Sequence, residues 1–441
     1  MGMNRRAFLK TGAAGAGVWI TGRQLGYGQE KSPNAKLNVA CIGVGGRGRA
    51  SLDACKGETV VAVCDIDENP LDKACKDFPG AKRFLDYRKL LDEVGKQIDA
   101  VTVGTPDHHH APAAARAIAL GKHAYVEKPL AHNLYECRKL TELAAKHNVR
   151  TQMGNQGHSL SNRRKLVETL EQGLIGNVTE VHAWTNRPIW PQGIGRPKET
   201  PEVPKNIHWD LFLGPAPERP YHGAYHPFKW RGWWDYGTVA FGDMACHIMD
   251  ASYWGLKLTQ PTAIEAQGDP LNDETGPKWM IVKMDFPARG EQPALKYTWY
   301  DGGKLPPADL ARGQKVNSNG NIIIGEKGTI VVLDEQGGGW KLVAKDGTVT
   351  DSKDVPAKPT YPRVPGEMGG HHNEWIAACK GGPKSLGDFS YSGPFTETVL
   401  IGIPAFRTGK KLEWDAAALK AKNCPEADPY IKRDYRKGWE V

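Results

Sequence analysis

Apolar and polar positions along this chain follow two regimes, and the change between them falls near residue 155. Leu37–Ile42 (L-N-V-A-C-I) is an almost unbroken apolar run that stops in Gly43-Val44-Gly45-Gly46-Arg47-Gly48. Val60–Asp65 (V-V-A-V-C-D), Ile98–Thr105 (I-D-A-V-T-V-G-T), His123–Val126 and Val149–Met153 repeat the signature of strands buried on both faces. Helical stretches separate them: one after Asp65, then Phe84–Val94 with leucines at helical spacing, alanine-rich Ala111–Leu120 stopped by Gly121, and amphipathic Asn133–His147. Strand and helix in alternation predict a doubly wound parallel sheet whose ligands sit at the strands' carboxyl ends.

Beyond residue 155 the pattern changes. Ser161–Leu174 reads as a helix, and Val178–Trp184 alternates like a half-exposed strand. Residues 186–235 form a loop-rich insertion dense in Pro, Trp, Tyr and His. Ala263–Gln267, Trp279–Phe286, Ala294–Tyr300, Asn321–Gly325 and Thr329–Leu333 are strand-like with turns between them, which predicts a large, mostly antiparallel open sheet. His371–Cys379 and Pro394–Phe406 return to a helical pattern. The expected architecture is therefore α/β: a Rossmann domain over residues 36–155 and a C-terminal α/β domain over 156–441.

The glycine run gives the first domain its chemistry. Gly43 permits a tight turn, Gly45 lets the backbone approach a pyrophosphate, and Gly48 lets the following helix pack closely, with its amide end favouring the anion. Val44, Gly46 and Arg47 belong to the same loop. Asp65 ends the second strand, twenty-two residues after Gly43. A carboxylate there binds ribose hydroxyls and repels a 2′-phosphate, so the expected cofactor is NAD in preference to NADP. Ile66 follows it in the same wall.

Composition adds two exclusions and one expectation. The net charge is +8, but four basic residues and one acid fall in the first thirty positions, and no basic block or nucleic-acid motif follows. Nucleic acid is excluded as a partner. The eight cysteines contain no C-x-x-C pair and read as small buried apolar residues. Asn4-Arg5-Arg6-Ala7-Phe8-Leu9-Lys10, followed by glycine-rich Thr11–Gly22, resembles a twin-arginine export signal over residues 1–30, too short and polar to span a membrane. The expectation is a periplasmic or otherwise exported protein that carries its cofactor through that route already bound.

Lys128 lies just past a strand end, where the nicotinamide of a bound dinucleotide belongs. Its ammonium is disfavoured beside a cationic ring, so it suits polarising a hydroxyl or removing its proton. In Gly242-Asp243-Met244-Ala245-Cys246-His247, Asp243 and His247 share one face of a helix, and a carboxylate holding an imidazole makes a base for an alcohol proton. Trp184, Trp190, Trp209, Trp230, Trp233 and Trp234 lie in or near the insertion, with Tyr221, Tyr225, His222 and His226. Flat rings suit the C–H face of a sugar, and about half of the tryptophans are expected to be core instead. Arg187, Asp210 and Asn155 suit hydroxyls, and Asn155-Gln156-Gly157-His158 is expected to border the cleft. No arginine cluster for a carboxylate is evident, which favours a carbohydrate or polyol over a small acid. His108, Cys246 and His247 lack the spacing of a dedicated metal site.

G-V-G-G-R-G, T-P-D-H-H-H, V-E-K-P-L and Asp-x-x-x-His, in that order, resemble the Gfo/Idh/MocA oxidoreductases, the glucose–fructose oxidoreductase and inositol dehydrogenase family. The resemblance implies catalytic roles for Lys128, Asp243 and His247. It implies cofactor contacts from Gly43–Gly48, Asp65, Thr105, Pro106, His108, His110 and Glu127, extended here to Asn155 and Gln156. It further implies a cis Lys128–Pro129 bond and a homo-oligomer, dimer or tetramer, built on the C-terminal sheet. Substrate contacts fall to Lys128, His158, Arg187, Trp230, Trp234, Asp243 and His247. Two departures stand out: His109 occupies a position where exported relatives more often have tryptophan, and Met244, Ala245 and Cys246 are less usual. The expected function is NAD-dependent oxidation of a sugar or glycoside hydroxyl. Redox-neutral glycoside cleavage or epimerisation through a transient keto-sugar is the alternative.

Overall fold

A computed structural model describes residues 35–441, so the segment expected to be a twin-arginine signal lies outside the described residues. The first domain follows the expected alternation: β1 (Asn38–Ile42), α1 (Gly46–Ala54), β2 (Thr59–Cys64), α2 (Glu68–Asp77), β3 (Lys82–Phe84), α3 (Tyr87–Val94), β4 (Ala100–Val103), α4 (Asp107–Ala119), β5 (His123–Glu127), α5 (Leu134–His147) and β6 (Thr151–Gly154). Its six strands run parallel in the order β3-β2-β1-β4-β5-β6. The strand order reverses between β1 and β4, and the crevice at their carboxyl ends is the switch point where such sheets bind ligands. Local chemistry fixes the helix starts. Asp67, Asp86 and Asn133 cap α2, α3 and α5 by accepting amide hydrogens, whereas Gly45 leaves α1 without a side-chain cap. α4 begins four residues before the expected Ala111, because Pro106 and Asp107 can open a helix. That shift places all three histidines of the T-P-D-H-H-H motif on helix rather than loop.

The second domain continues with α6 (Ser161–Glu171), β7 (Val178–Thr185), α7 (Trp209–Leu213), α8 (Val239–Ile248), α9 (Asp250–Gly255), β8 (Ala263–Gly268), β9 (Met280–Phe286), β10 (Leu295–Tyr300), β11 (Asn319–Gly325), β12 (Gly328–Val332), β13 (Trp340–Ala344) and β14 (Val349–Asp351). It closes with α10 (His371–Cys379), α11 (Phe389–Leu400), α12 (Gly402–Thr408), β15 (Leu412–Asp415), β16 (Lys420–Ala421) and α13 (Asp428–Ile431). Ten strands form one sheet, β14-β13-β12-β11-β7-β10-β9-β8-β15-β16, antiparallel throughout except for the parallel β7–β10 pair.

C-terminal segments also return to the first domain. Trp375 of α10 is fully buried among Val39, Val63 and Tyr125, and α11 is tied to α5 by the Arg138–Glu397 ion pair. The eight cysteines are free thiols, all but Cys75 buried. Among the described residues no helix is long and apolar enough to cross a membrane, and no group of three or more His, Cys, Asp or Glu is placed to hold a metal ion.

Candidate active site

A cavity of about 660 Å³ opens at the β1/β4 switch point, within the size range of small-molecule sites. Gly43, Gly45, Gly46, Arg47, Asp65, Ile66, Thr105, Pro106, Glu127, Lys128, Trp230 and Asp243 all line it. Nine residues expected at the cofactor, Trp230 and Asp243 expected at the substrate, and Lys128 expected at both thus meet in one wall.

The loop suits a dinucleotide on steric grounds. Gly43 has φ +73°, and a Cβ there would lie 2.7 Å from the backbone of Gly104 and Thr105. A Cβ on Gly48 would lie 1.9 Å from the Gly43 carbonyl oxygen, and one on Gly104 2.4 Å from Gly48 Cα. Three backbones therefore interlock where no side chain fits, and the first amides of α1 remain for an anion. Asp65 Oδ2 accepts the amides of Val44 (2.9 Å) and Gly45 (3.1 Å), and Oδ1 accepts that of Asp67 (3.0 Å). Burial nevertheless leaves its carboxyl above the usual carboxylate range. Asp65 thus shapes the glycine loop as well as facing the cavity. The insertion closes this end: His208 donates its amide to Ile66 O (3.0 Å), Glu68 donates to Asn206 O (2.9 Å), and Leu211 and Phe212 join the cavity wall.

At the other end Lys128 Nζ donates to Asp243 Oδ1 at 2.8 Å and to the Asp243 carbonyl at 3.0 Å. Burial works against the Lys128 ammonium, but Asp243 more than offsets it, and the proton is held more tightly than on an ordinary lysine. Burial likewise opposes the Asp243 carboxylate, and Lys128 and Arg231 together hold its pKa below the usual value. The Lys128–Pro129 bond is cis, as expected.

The Asp243–His247 pairing is corrected. Both stand on α8, but Asp243 turns to Lys128 and Arg231, while His247 Nδ1 meets Asn155 Oδ1 at 3.0 Å. The amide of Asn155 donates to Cys246 O (2.8 Å), which aims its carbonyl at the imidazole. Nδ1 therefore carries the hydrogen, and Nε2 has no protein partner among the described residues. Burial, then Lys128, pushes the His247 pKa well down, so the ring is neutral. Asn155 does the orienting assigned to Asp243, and His247 is half-buried and not among the residues that line the cavity.

Several expected contacts are placed elsewhere. His108 is fully buried with Nε2 2.8 Å from Phe212 O, and His110 bridges Pro129 O (2.7 Å) and Thr105 O (2.9 Å). These two brace the walls, and His109 between them reaches the cavity. Gln156 donates to Glu127 and Tyr125, positioning Glu127 from behind. His158 is not a substrate contact: it is buried against Trp254 and bonded to Asp250, which also accepts from Arg163 and Tyr391. Arg187 lies beside Asn186 and Glu335, outside the cavity, and Asp210 pairs with Arg436. Trp234 belongs to the core, with its indole donating to Asn272 O. All six tryptophans of the insertion region are buried, and Trp230 alone faces the cavity. The other five tie their indoles to Asn317, Gln192, Arg219, Ala224 and Asn272 oxygens, so they build the insertion rather than receive a sugar.

Sequence reasoning missed Asp107, Arg231, Phe228, Tyr87 and Trp439 in the wall. Asp107 was visible inside T-P-D-H-H-H, where the histidines drew attention instead. Arg231 was visible inside W-R-G-W-W. Tyr87 and Trp439, 352 positions apart in the numbering, had no sequence signal.

Family comparison decides the affiliation. Residues 37–155 match the NAD-binding Rossmann model of the Gfo/Idh/MocA oxidoreductases, and 160–305 match that family's C-terminal alpha/beta domain, together more than half of the chain. The chain belongs to this oxidoreductase family. Among curated relatives, a glycosyl hydrolase family 109 protein of Shewanella pealeana is 28% identical over 40% of this chain and 45% of its own. An alpha-N-acetylgalactosaminidase of Shewanella oneidensis is 30% identical over 32% of this chain and 33% of its own. The chain thus spans less than half the length of these relatives. The fold also matches a WlbA dehydrogenase from Bordetella pertussis, solved with NADH and UDP-GlcNAcA, at TM-score 0.60 and 18% identity over 86% of this chain and 99% of that one.

Proposed function

We propose that this chain is an exported NAD-dependent oxidoreductase that moves a hydride between a sugar or glycoside hydroxyl carbon and a tightly held cofactor. One observation carries the reading: the Lys128–Asp243 pair, 2.8 Å apart, lines the same cavity as the glycine loop and Asp65. Gly43, Gly45, Gly46 and Arg47 would hold the pyrophosphate of NAD, Asp65 a ribose, and Thr105, Pro106 and Glu127 the nicotinamide side. When bound, NAD supplies the hydride acceptor and donor. Lys128 gives a proton to a keto oxygen as the ammonium and takes one from a hydroxyl as the amine. Asp243 fixes its position and charge. Neutral His247, with Nε2 free of protein partners, is the second proton acceptor.

The test is reduction of co-purified NAD by a panel of sugars and glycosides, followed by nicotinamide absorbance. Lys128→Ala that retains NAD and full turnover on the responding sugar overturns the assignment. Export is checked by replacing Arg5 and Arg6 with lysine and locating the protein. A homo-oligomer through the C-terminal sheet is checked by light scattering.

A second reading is favoured by the names of the Shewanella relatives: redox-neutral cleavage or epimerisation, with the cofactor unchanged after each cycle. Glycosides incubated with purified protein and no added NAD separate the two. Many turnovers of bond cleavage per chain favour the second, and at most one equivalent of oxidation favours the first.

A further inference from the structure

Among the described cavity residues, Arg231 is the one cation that neither the cofactor loop nor the proton-transfer pair explains. Its guanidinium lies over the rings of Trp230 and Phe228, 4.3 and 4.6 Å from their centroids, with Trp190 at 6.0 Å. Nη1 donates to Phe228 O at 3.2 Å, and Nε approaches Asp243 Oδ1 at 3.4 Å. Nη2 has no hydrogen-bond acceptor among the described residues, and the side chain keeps 22% of its surface exposed in the cavity. A guanidinium resting against aromatic rings and tied at Nη1 and Nε has given up rotamer freedom and presents part of its donor fork ready-made.

The local charge points the same way. Lys128 and Arg231 share the single carboxylate of Asp243, which leaves one positive charge over. The nearby carboxylates do not balance it. Glu127 is engaged by Arg47, Ser51 and Gln156, and Asp86 by Arg88. Asp107 accepts from the Thr238 amide and hydroxyl, and its pKa is pushed up to about 7 by burial and then by Asp243, so it is only partly ionised at neutral pH. Asp65 and Asp67 belong to the glycine-loop end, where they accept backbone amides or cap α2. An excess cation in a partly desolvated wall favours an anionic ligand, and a planar fork favours a carboxylate.

We infer that the substrate of this site is an acidic sugar, a uronic acid or its glycoside, whose carboxylate is received by Arg231 while Lys128 faces the reacting hydroxyl. The inference rests on the sugar oxidoreductase reading above. It keeps the carbohydrate expected from the sequence and adds to it a carboxylate, for which no arginine cluster was evident there. One arginine suffices when its neighbours hold it rigid and a second cation is already tied up.

The test compares glucuronate and galacturonate with glucose and galactose, and their methyl glycosides with one another, as reductants of NAD held by the purified protein. The expected result is a second-order rate constant for the single reduction of the bound NAD that is at least tenfold higher for the acids. In Arg231→Gln the acid-to-neutral ratio falls by about ten- to a hundredfold, the worth of a charge-assisted pair, while Arg231→Lys retains part of it. Bound NAD per chain stays at the wild-type level in both variants. Equal or better turnover of the neutral sugars by wild type overturns the inference and leaves the oxidoreductase reading standing. Loss of NAD from Arg231→Gln overturns it too, by assigning the guanidinium to the cofactor's phosphates. A lack of reduction by either class overturns the oxidoreductase reading, and the inference falls with it.

Discussion

Asp243→Asn is the most informative single change, because the amide keeps the shape of the side chain and removes only its charge. Asp243 Oδ1 lies 2.8 Å from Lys128 Nζ and 3.4 Å from Arg231 Nε, with 10% of its side-chain surface exposed. Unit charges about 4 Å apart attract by about 4 kcal/mol at an effective dielectric of about 20, and breaking a buried pair costs about 3–5 kcal/mol. Because Arg231 shares the carboxylate, we take the low end, about 3 kcal/mol, for Lys128. At about 1.4 kcal/mol per tenfold, Lys128 then holds its proton about a hundredfold less tightly in the variant.

The sign follows from which form each direction needs. In wild type the pKa of Lys128 is raised, so the ammonium persists to high pH, and oxidation, which needs the amine, rises only on the alkaline side. Removing Asp243 lowers that pKa, so the alkaline rise of the rate constant for reduction of bound NAD by sugar is expected to move down by about two pH units. Reduction of a keto-sugar, which needs the ammonium, loses rate at neutral pH in the same variant. Both profiles are read from nicotinamide absorbance with the NAD content of each preparation measured. A profile of unchanged position with reduced height refutes the reasoning. It would mean that Asp243 acts through shape alone, or that Lys128 is not the titrating group.

Gly48→Ala is expected to lower bound NAD at least tenfold, because its Cβ would meet the Gly43 carbonyl at 1.9 Å, backbone on backbone. Mass spectrometry of the co-purified nucleotide checks it. Asp250→Asn leaves buried Arg163 without its carboxylate, 2.7 Å away, and is expected to cost about 3–5 kcal/mol in denaturant unfolding. Burial opposes the Asp250 carboxylate, but His158 and Arg163 hold its pKa well below the usual value. Its stabilisation is therefore present above the unfolded carboxylate range and shrinks as pH falls below it, so the wild-type and variant stabilities converge in acid. Asp107→Asn removes a group titrating at about 7 from the cavity wall, and the pH–rate profile is expected to lose its inflection near neutrality.

The parts legible in the sequence share a physical reason: each is set by its own few residues. Buried strands announce themselves as apolar runs, and Gly43, Gly45 and Gly48 stand where a Cβ has no room, so the Rossmann layer and its loop could be read directly. Lys128 could be read because its place past a strand end fixes which edge of the sheet it occupies. β13 to β16 were not foreseen, since the short strands at the two ends of the sheet carry little pattern, and β14 at one edge is only three residues long. Side-chain direction was the commonest failure. His108, His109 and His110 are adjacent on α4, and which of them faces the cavity depends on Phe212 O, Pro129 O and Thr105 O, acceptors from elsewhere in the chain.

The tryptophans show what decides between a core and a binding surface. Aromatic density in residues 186–235 suggested a sugar platform, yet the rings of Trp209, Phe212, Tyr225, Trp233 and Tyr236 pack mainly on one another. An insertion of that length lacks the strands that would pair its backbone, so it needs a small core of its own, and the indole N–H groups of Trp209 and Trp233 find the Arg219 and Ala224 carbonyls within it. What it offers the site is its inner edge: Leu211 and Phe212 beside Ile66, and Phe228, Trp230 and Arg231 beside Lys128. One segment thus covers the cofactor end and supplies the only cation at the substrate end, among the described cavity residues, that is not a cofactor-loop or family-motif residue. On the proposed function, specificity would be carried by a loop that folds around its own aromatic cluster, and chemistry by the scaffold beneath it.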